Sequence, residues 1–438
     1  MLLIINRKIL VSVVLLSLLY GQIEFKHECG HAQSAHRWVD ATSTMTEDQD
    51  KLDVTYYGIN LAIDFSSEMI YGSVVINGSV GMIQPDSFEF DFLSNMIVDS
   101  IKYAGQEITF LHHEDKIKIP TPEIVIPEGY SFSITIFYHG TPQHCGAAGF
   151  KFDEHMGIDH AWTLSEAYCA RSWWPCKDDP SDKADSVDII VTVPNDPDFI
   201  VASNGILQST VIENGEKTFH WKATYPITTY LVSLAIYPYT VWSDQYISPL
   251  SGQVMPIDHY VFPDRYENSY SNYLLTSDML VLFSELFGEY PFIDEKYGHA
   301  DFRWGGGMEH QTMTSMGGYS QNLIAHELGH SWWGNLITCK TFHDIWLNEG
   351  FARYCQALWA EHIGGQESYI NFMNNHAYYG GGTIYVENPI SNAVIFSSGL
   401  SYNKASWVLH MLRIIVGDNM FFDILRPYGA NDSLAYNA

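Results

Sequence analysis

Basic residues are scarce in this chain: 22 Lys and Arg stand against 51 Asp and Glu, a formal charge of −29. A surface so acidic repels phosphate backbones and anionic headgroups, which excludes nucleic acid and acidic membranes as partners. Long internal hydrophobic runs are missing as well. None beyond the N-terminus approaches the roughly 20 residues a membrane span needs. No Rossmann or P-loop fingerprint occurs, and there is no internal repeat or low-complexity tract. Cysteine is sparse, with six residues at 29, 145, 169, 176, 339 and 355. In an exported chain these can pair, but their pairing cannot be read from sequence. The acidic balance serves solubility, or else lines a cleft for a cationic substrate.

What is present divides the chain. At 438 residues it exceeds one ordinary core and is expected to form more than one domain. Residues 1–21 place Arg7 and Lys8 before an apolar run from Ile9 to Tyr20 and then Gly21, the pattern of a secretory signal peptide. The expectation is export, periplasmic or extracellular, with no membrane span once the signal is removed. Residues 22–50 are polar and mixed, a linker. From Asp53 to about Tyr246 apolar and polar residues alternate, as in VTYYGINLAIDF and SFSITIFYHG. Asn-Gly pairs at 77–78, 204–205 and 214–215 fall where hairpin turns are wanted. Residues 51–246 therefore read as an antiparallel β domain. Beyond about residue 265 the period becomes helical, as in YENSYSNYLLTSDMLVLFSELFGEY, and residues 247–438 read as a second, α+β domain.

Two HExxH patterns compete for a metal site. HECGH at 27–31 follows the signal in a polar stretch without helical periodicity, and the longer HExxHxxGxxH form would need histidine where Arg37 stands. This copy reads as incidental; a chance match in so histidine-rich a chain has a probability on the order of a few per cent. HELGH at 326–330 lies in SQNLIAHELGHSWWGNLI, which suits a helix. Residues i and i+4 project from one face, so His326 and His330 can offer ring nitrogens to one ion while Glu327 reaches a water beside it. Glu349 in DIWLNEGFARY is the candidate third ligand, on a second helix capped by Asp344 after a short CKTFH turn. Two His and one Glu leave a fourth tetrahedral position for water, the arrangement of a catalytic zinc.

HELGHSWWGN followed by the glutamate of WLNEGFA after 18 intervening residues resembles the aminopeptidase N family of zinc peptidases, which includes leukotriene hydrolase. GGMEH at 306–310 resembles the family's GAMEN signature, SYNKASWVLHMLR at 401–413 its YxKG segment, and SEAYCARSWWPCKDDPSDKAD at 165–185 an upstream R…PC-D-P segment. The four motifs occur in the family's order over about residues 50–438. The resemblance implies a saddle-like or sandwich β domain followed by a thermolysin-like catalytic domain. It also implies a helical C-terminal domain beyond the catalytic one; either the sequence is a fragment or the protein lacks that cover, and a fragment is the expectation.

By the same resemblance one Zn2+ per chain is held by His326, His330 and Glu349, with Glu327 as general base and Tyr402 donating to the oxyanion. Glu309 and Glu166 bind the free α-ammonium of a peptide, while Gly306, Gly307 and Met308 let substrate backbone lie along the strand. Three departures stand out: His310 for the GAMEN asparagine, Leu164 for a glutamine before Glu166, and Ala405 for the glycine of YxKG. Val394 and Ser397 occupy the epoxide-chemistry positions of leukotriene hydrolase, so that activity is not expected. The expected function is a zinc-dependent aminopeptidase acting on peptides with a free N-terminus. The alternatives are a thermolysin-type endopeptidase, without ammonium-binding carboxylates, and a non-catalytic zinc-bearing binding protein, with no chemical need for Glu327 and Tyr402. Oligomeric state is not readable.

Overall fold

The computed structural model describes residues 45–121 and 131–429. The expected signal peptide at residues 1–21, most of the expected linker at 22–50 and the HECGH copy lie outside the described residues. Strand Leu52–Asp64 shows how the first unit forms: its burial alternates, with Leu52, Val54, Tyr57, Ile59, Leu61 and Ile63 inward. The inward phase shifts at Thr55, where a bulge separates Val54 and Tyr56 in the pairing with strand Met69–Val80. This pair lies near the middle of an eight-stranded sheet, antiparallel throughout except where Leu52–Asp64 runs parallel to Ser186–Pro194. A four-stranded sheet carries the hairpin Gly149–His155 and Ile158–Leu164, and smaller sheets complete the unit.

The three Asn-Gly pairs part company here. Asn214-Gly215 does turn the hairpin between Ile206–Glu213 and Glu216–Ala223, with φ of 54° and 85°. Asn77-Gly78 instead lies inside strand Met69–Val80, opposite the bulge, where any Cβ on Gly78 would collide with the Asp53 carbonyl. Asn204-Gly205 joins strands of two different sheets. The glycine tolerates close approach of a neighbouring backbone in the last two, a use that the dipeptide does not distinguish from a turn.

The boundary between the units also moves. Thr240–Ile247, assigned by its alternation to a β domain ending at 246, pairs with Val254–Val261 and opens the second unit's five-stranded sheet. Alternation marks a half-buried strand without saying which sheet it joins. That sheet continues through Tyr297–Asp301 and Thr314–Met316 to the short edge strand Gly307–Met308. The helical run after residue 265 resolves into two helices, Tyr266–Tyr273 and Thr276–Phe287, the second stopped by Gly288 at φ 105°. Helices Gln321–Gly329, Trp346–Asn375, Ala405–Val416 and Asp418–Gly429 follow. No helix among the described residues is long and apolar enough to cross a membrane.

The hydrophobic core of the first unit extends into the second through Met308, Met313, Phe342, Ile395 and Tyr402. Polar contacts add to this seam. Lys183 Nζ donates to the carbonyls of Asn335 and Leu336 at 2.8 and 2.9 Å, and Asn204 Nδ2 donates to Gln311 O at 2.6 Å.

Candidate active site

Ser320 caps the HELGH helix Gln321–Gly329, its hydroxyl accepting from Leu323 N at 3.2 Å. The helix packs tightly on Trp346–Asn375 because Gly329 has no side chain; a Cβ there would lie 2.8 Å from the Cys355 side chain. On its other flank the long helix meets the Tyr402 segment at Gly350, where an added Cβ would collide with that of Ala405. Asp344 does not cap the long helix. It ends a preceding 3-10 turn, accepts the Trp346 indole N–H at 3.2 Å, and leaves Ile345 at the helix boundary.

These contacts converge three donor atoms. Nε2 of His326 lies 3.2 Å from Nε2 of His330 and 3.2 Å from Glu349 Oε2, and the third side of the triangle is 3.5 Å. Tetrahedral ligands at 2.0–2.1 Å from one ion stand about 3.4 Å apart, so the triangle fits a zinc ion. His330 Nδ1 faces the Trp333 carbonyl at 3.0 Å, which places the proton on Nδ1 and frees Nε2 for the metal. Burial holds the His326 ring neutral, its pKa near 4, against the opposing hydrogen bond from Glu349.

Around the triangle sit three more buried carboxylates, Glu166, Glu309 and Glu327. Burial pushes Glu327 well above the usual carboxylate range; His330 opposes this, while Glu309, Glu349 and Glu166 add to it. Burial opposes charge on His330 too, but Glu309 and Glu349 outweigh it and carry its pKa to about 10. So concentrated a negative charge calls for a cation, and a dication held by the donor triangle is the fitting one. Glu327 lies directly beneath the edge strand: a Cβ on Gly307 would collide with its carboxylate.

Glu309 comes from the second unit and Glu166 from the turn after strand Ile158–Leu164 of the first, and each has a ligand oxygen in one group with Glu349, all within 4.8 Å. Asn335 Nδ2 steadies this region by donating to Glu309 O at 2.8 Å. His310 is buried, its Nδ1 2.9 Å from Ser315 Oγ across the short loop. Leu164 is fully buried in the core, so its lost polarity is a packing choice. Tyr402 is buried with its ring stacked on that of His326, 6.0 Å between centroids and 15° between planes. His326, His330, Glu349, Glu327, Glu309, Glu166 and Tyr402 thus fall in or beside one cluster, with Gly307 against Glu327.

One residue was missed. Arg353, a turn beyond Glu349, is buried and holds its guanidinium 5.6 Å from the centre of the Tyr402 ring. Its i+4 spacing from the third ligand was the available signal.

Fold and site together are those of a class of metallopeptidases in which an HExxH helix and a downstream glutamate hold zinc beside a β-rich unit. Residues 53–231 match the peptidase M1 N-terminal domain and residues 308–435 the peptidase family M1 domain. The chain belongs to peptidase family M1. It is 25% identical over 279 residues to endoplasmic reticulum aminopeptidase 2 of Bos taurus, covering 58% of this chain and 28% of that protein. It is 23% identical over 447 residues to the mitochondrial aminopeptidase 2 of Saccharomyces cerevisiae, covering 92% of this chain and 45% of that one. The chain thus spans less than half the length of these relatives. A crystal structure of an M1 zinc metallopeptidase mutant from Deinococcus radiodurans, bound to a Tyr-Ser-Ala substrate, superposes with a TM-score of 0.74 at 25% identity over 87% of each chain.

Proposed function

We propose that this chain is a zinc-dependent aminopeptidase that removes N-terminal residues from peptides. The observation that carries the reading is the approach of Glu166 and Glu309 to within 4.8 Å beside Glu349. Two buried carboxylates from different units, set next to a metal site, suit a group with one positive charge and three N–H donors, the α-ammonium of a peptide. An endopeptidase has no use for them. The aminopeptidase names of the two relatives, and the tripeptide substrate of the Deinococcus enzyme, support the same reading.

Zinc, when bound, supplies a Lewis acid that draws a water's pKa towards neutrality and polarises the scissile carbonyl. Glu327 takes the attacking water's proton and passes it to the leaving amine. Tyr402 donates its O–H to the developing oxyanion. Gly306 precedes, and Gly307 and Met308 form, the last strand of the five-stranded sheet, whose free edge suits an extended substrate backbone, as in strand addition.

Export through residues 1–21 belongs to the same proposal, and the Cys145–Cys169 disulfide, which belongs in an oxidising compartment, supports it. Mass analysis of the mature N-terminus in fractionated cells tests it.

The deciding experiment is hydrolysis of aminoacyl-arylamides against their N-acetylated counterparts, with and without a chelator. Cleavage confined to free amines, lost on chelation and restored by zinc, is expected. Equal cleavage of blocked substrates would move the assignment to an endopeptidase.

A further inference from the structure

Among the described residues, buried arginines are paired with carboxylates, with one exception. Arg171 has Asp178 and Asp91 at 3.6 and 3.8 Å, and Arg413 has Glu361 and Asp418 at 2.7 and 2.9 Å. Arg353 is only 1% exposed, yet its Nε and Nη2 have no hydrogen-bond partner among the described residues. A buried charge without a carboxylate is costly and is retained only where something else stabilises it or uses it. What faces Arg353 is the Tyr402 ring, 5.6 Å away, and that ring is the one stacked on the metal-ligand candidate His326. Arginine, aromatic ring and imidazole thus form one contiguous stack, with Arg353 fixed on the same helix as Glu349.

We propose that Arg353 is a positioning residue for catalysis, acting through Tyr402: its guanidinium holds the phenol ring against His326 and strengthens the phenolic O–H as a donor to the oxyanion. The proposal rests on the oxyanion role given to Tyr402 above. A cation over an aromatic ring is attracted to its electron-rich face. It also favours electron density withdrawn from the oxygen, so the arrangement gains as negative charge collects at the oxyanion and the phenol shares it. The benefit therefore belongs to the transition state and appears in kcat. Capture of the ammonium by Glu166 and Glu309, read in KM, is untouched.

The test is a double-mutant cycle on the zinc-loaded full chain, with Arg353→Met, Tyr402→Phe and the pair, assayed on a free-amine arylamide. Arg353→Met is expected to lower kcat about tenfold with KM within about twofold. In the Tyr402→Phe background the same change is expected to move kcat by less than about twofold, because the route of its influence is gone. Arg353→Lys, which keeps the charge, is expected to restore kcat to within about threefold of the parent, and it carries the test if the methionine variant does not fold. Equal losses in both backgrounds, or a lysine variant no better than methionine, would overturn the proposal. Independently of turnover, 13Cζ-tyrosine labelling, assigned through Tyr402→Phe, is expected to show the Tyr402 resonance shifting when Arg353 is replaced; an unmoved resonance also overturns it. Should the parent show no aminopeptidase turnover, the functional reading fails on its own, and the resonance still decides the Arg353–Tyr402 contact.

Discussion

Removing the charge from a single side chain separates the roles crowded into this site. Glu327 lies beside the candidate ligand His326 in sequence but is not itself in the donor triangle. Glu327→Gln should therefore keep bound zinc while kcat falls by about 10²- to 10⁴-fold, the usual range for a lost general base; metal analysis beside steady-state kinetics checks both halves. Glu309→Gln and Glu166→Gln act elsewhere. Each removes one charge-assisted contact to the ammonium, so KM for free-amine substrates should rise about 10- to 100-fold. The ratio of free to N-acetylated substrate cleavage should fall with it. If KM is unchanged in both variants, the ammonium site lies somewhere else.

At the scale of elements, the site depends on close approaches that small residues permit. The long helix can bring Glu349 to the two histidines only because Gly329 meets Cys355 and Gly350 meets Ala405 without intervening bulk. Gly350→Ala overfills that second contact and should destabilise the protein by about 1–3 kcal/mol, seen as a lower Tm. Pairing it with Ala405→Gly should recover most of the loss, since the two methyl groups compete for one space. Ala405 stands where the family has glycine, and its contact with Gly350 explains why a small residue is needed there. Strand Tyr297–Asp301 carries a different kind of constraint. Burial raises the Asp301 carboxyl to about 7, with the Tyr319 hydroxyl and the Phe262 N–H pulling the other way. Because this folded value lies above the unfolded one of 3.8, its contribution is fully present below about pH 4 and is lost as pH rises through 7. Relative to Asp301→Asn, the parent should thus lose Tm between pH 4 and 7; parallel melting curves of the two proteins test it. Periodicity made the two-unit division and the HELGH helix legible, and spacing singled out His326, Glu327, His330 and Glu349, because these rest on local pattern; Glu166, Glu309 and Tyr402 were pointed to only by the family resemblance. Asn77-Gly78, the sheet membership of Thr240–Ile247 and the failed cap at Asp344 were not legible, because tertiary neighbours decide each of them. Arg353 was hidden for the same reason: only the fold brings Tyr402 onto it.

For the whole molecule, the decisive fact is that Glu166 and Glu309, the pair proposed to bind the ammonium, are split across the two units. Glu166 rides on the first and Glu309 on the second, so the seam between them sets the pocket. Segment 309–312 is held from across that seam: Asn204 Nδ2 donates to Gln311 O at 2.6 Å and Gly205 N to Thr312 Oγ1 at 2.8 Å. Lys183 grips Asn335 O, and Asn335 in turn donates to Glu309 O. The donor triangle, by contrast, lies wholly within the second unit, on helix Gln321–Gly329 with its C-cap His330 and on helix Trp346–Asn375. Residues 331–345 and their 3-10 turn lie between them, rather than the short turn expected from CKTFH. Loosening the seam should therefore damage substrate capture before it damages metal binding. Asn204→Ala removes the bridge to Gln311 together with hydrogen bonds to Leu231 O and Ser233 N in its own unit. We expect KM for free-amine substrates to rise several-fold, by about 3- to 10-fold for a lost buried hydrogen-bond network, with zinc stoichiometry unchanged. Zinc lost in parallel with KM would mean that the seam supports the catalytic unit as a whole rather than the distance between its two carboxylates.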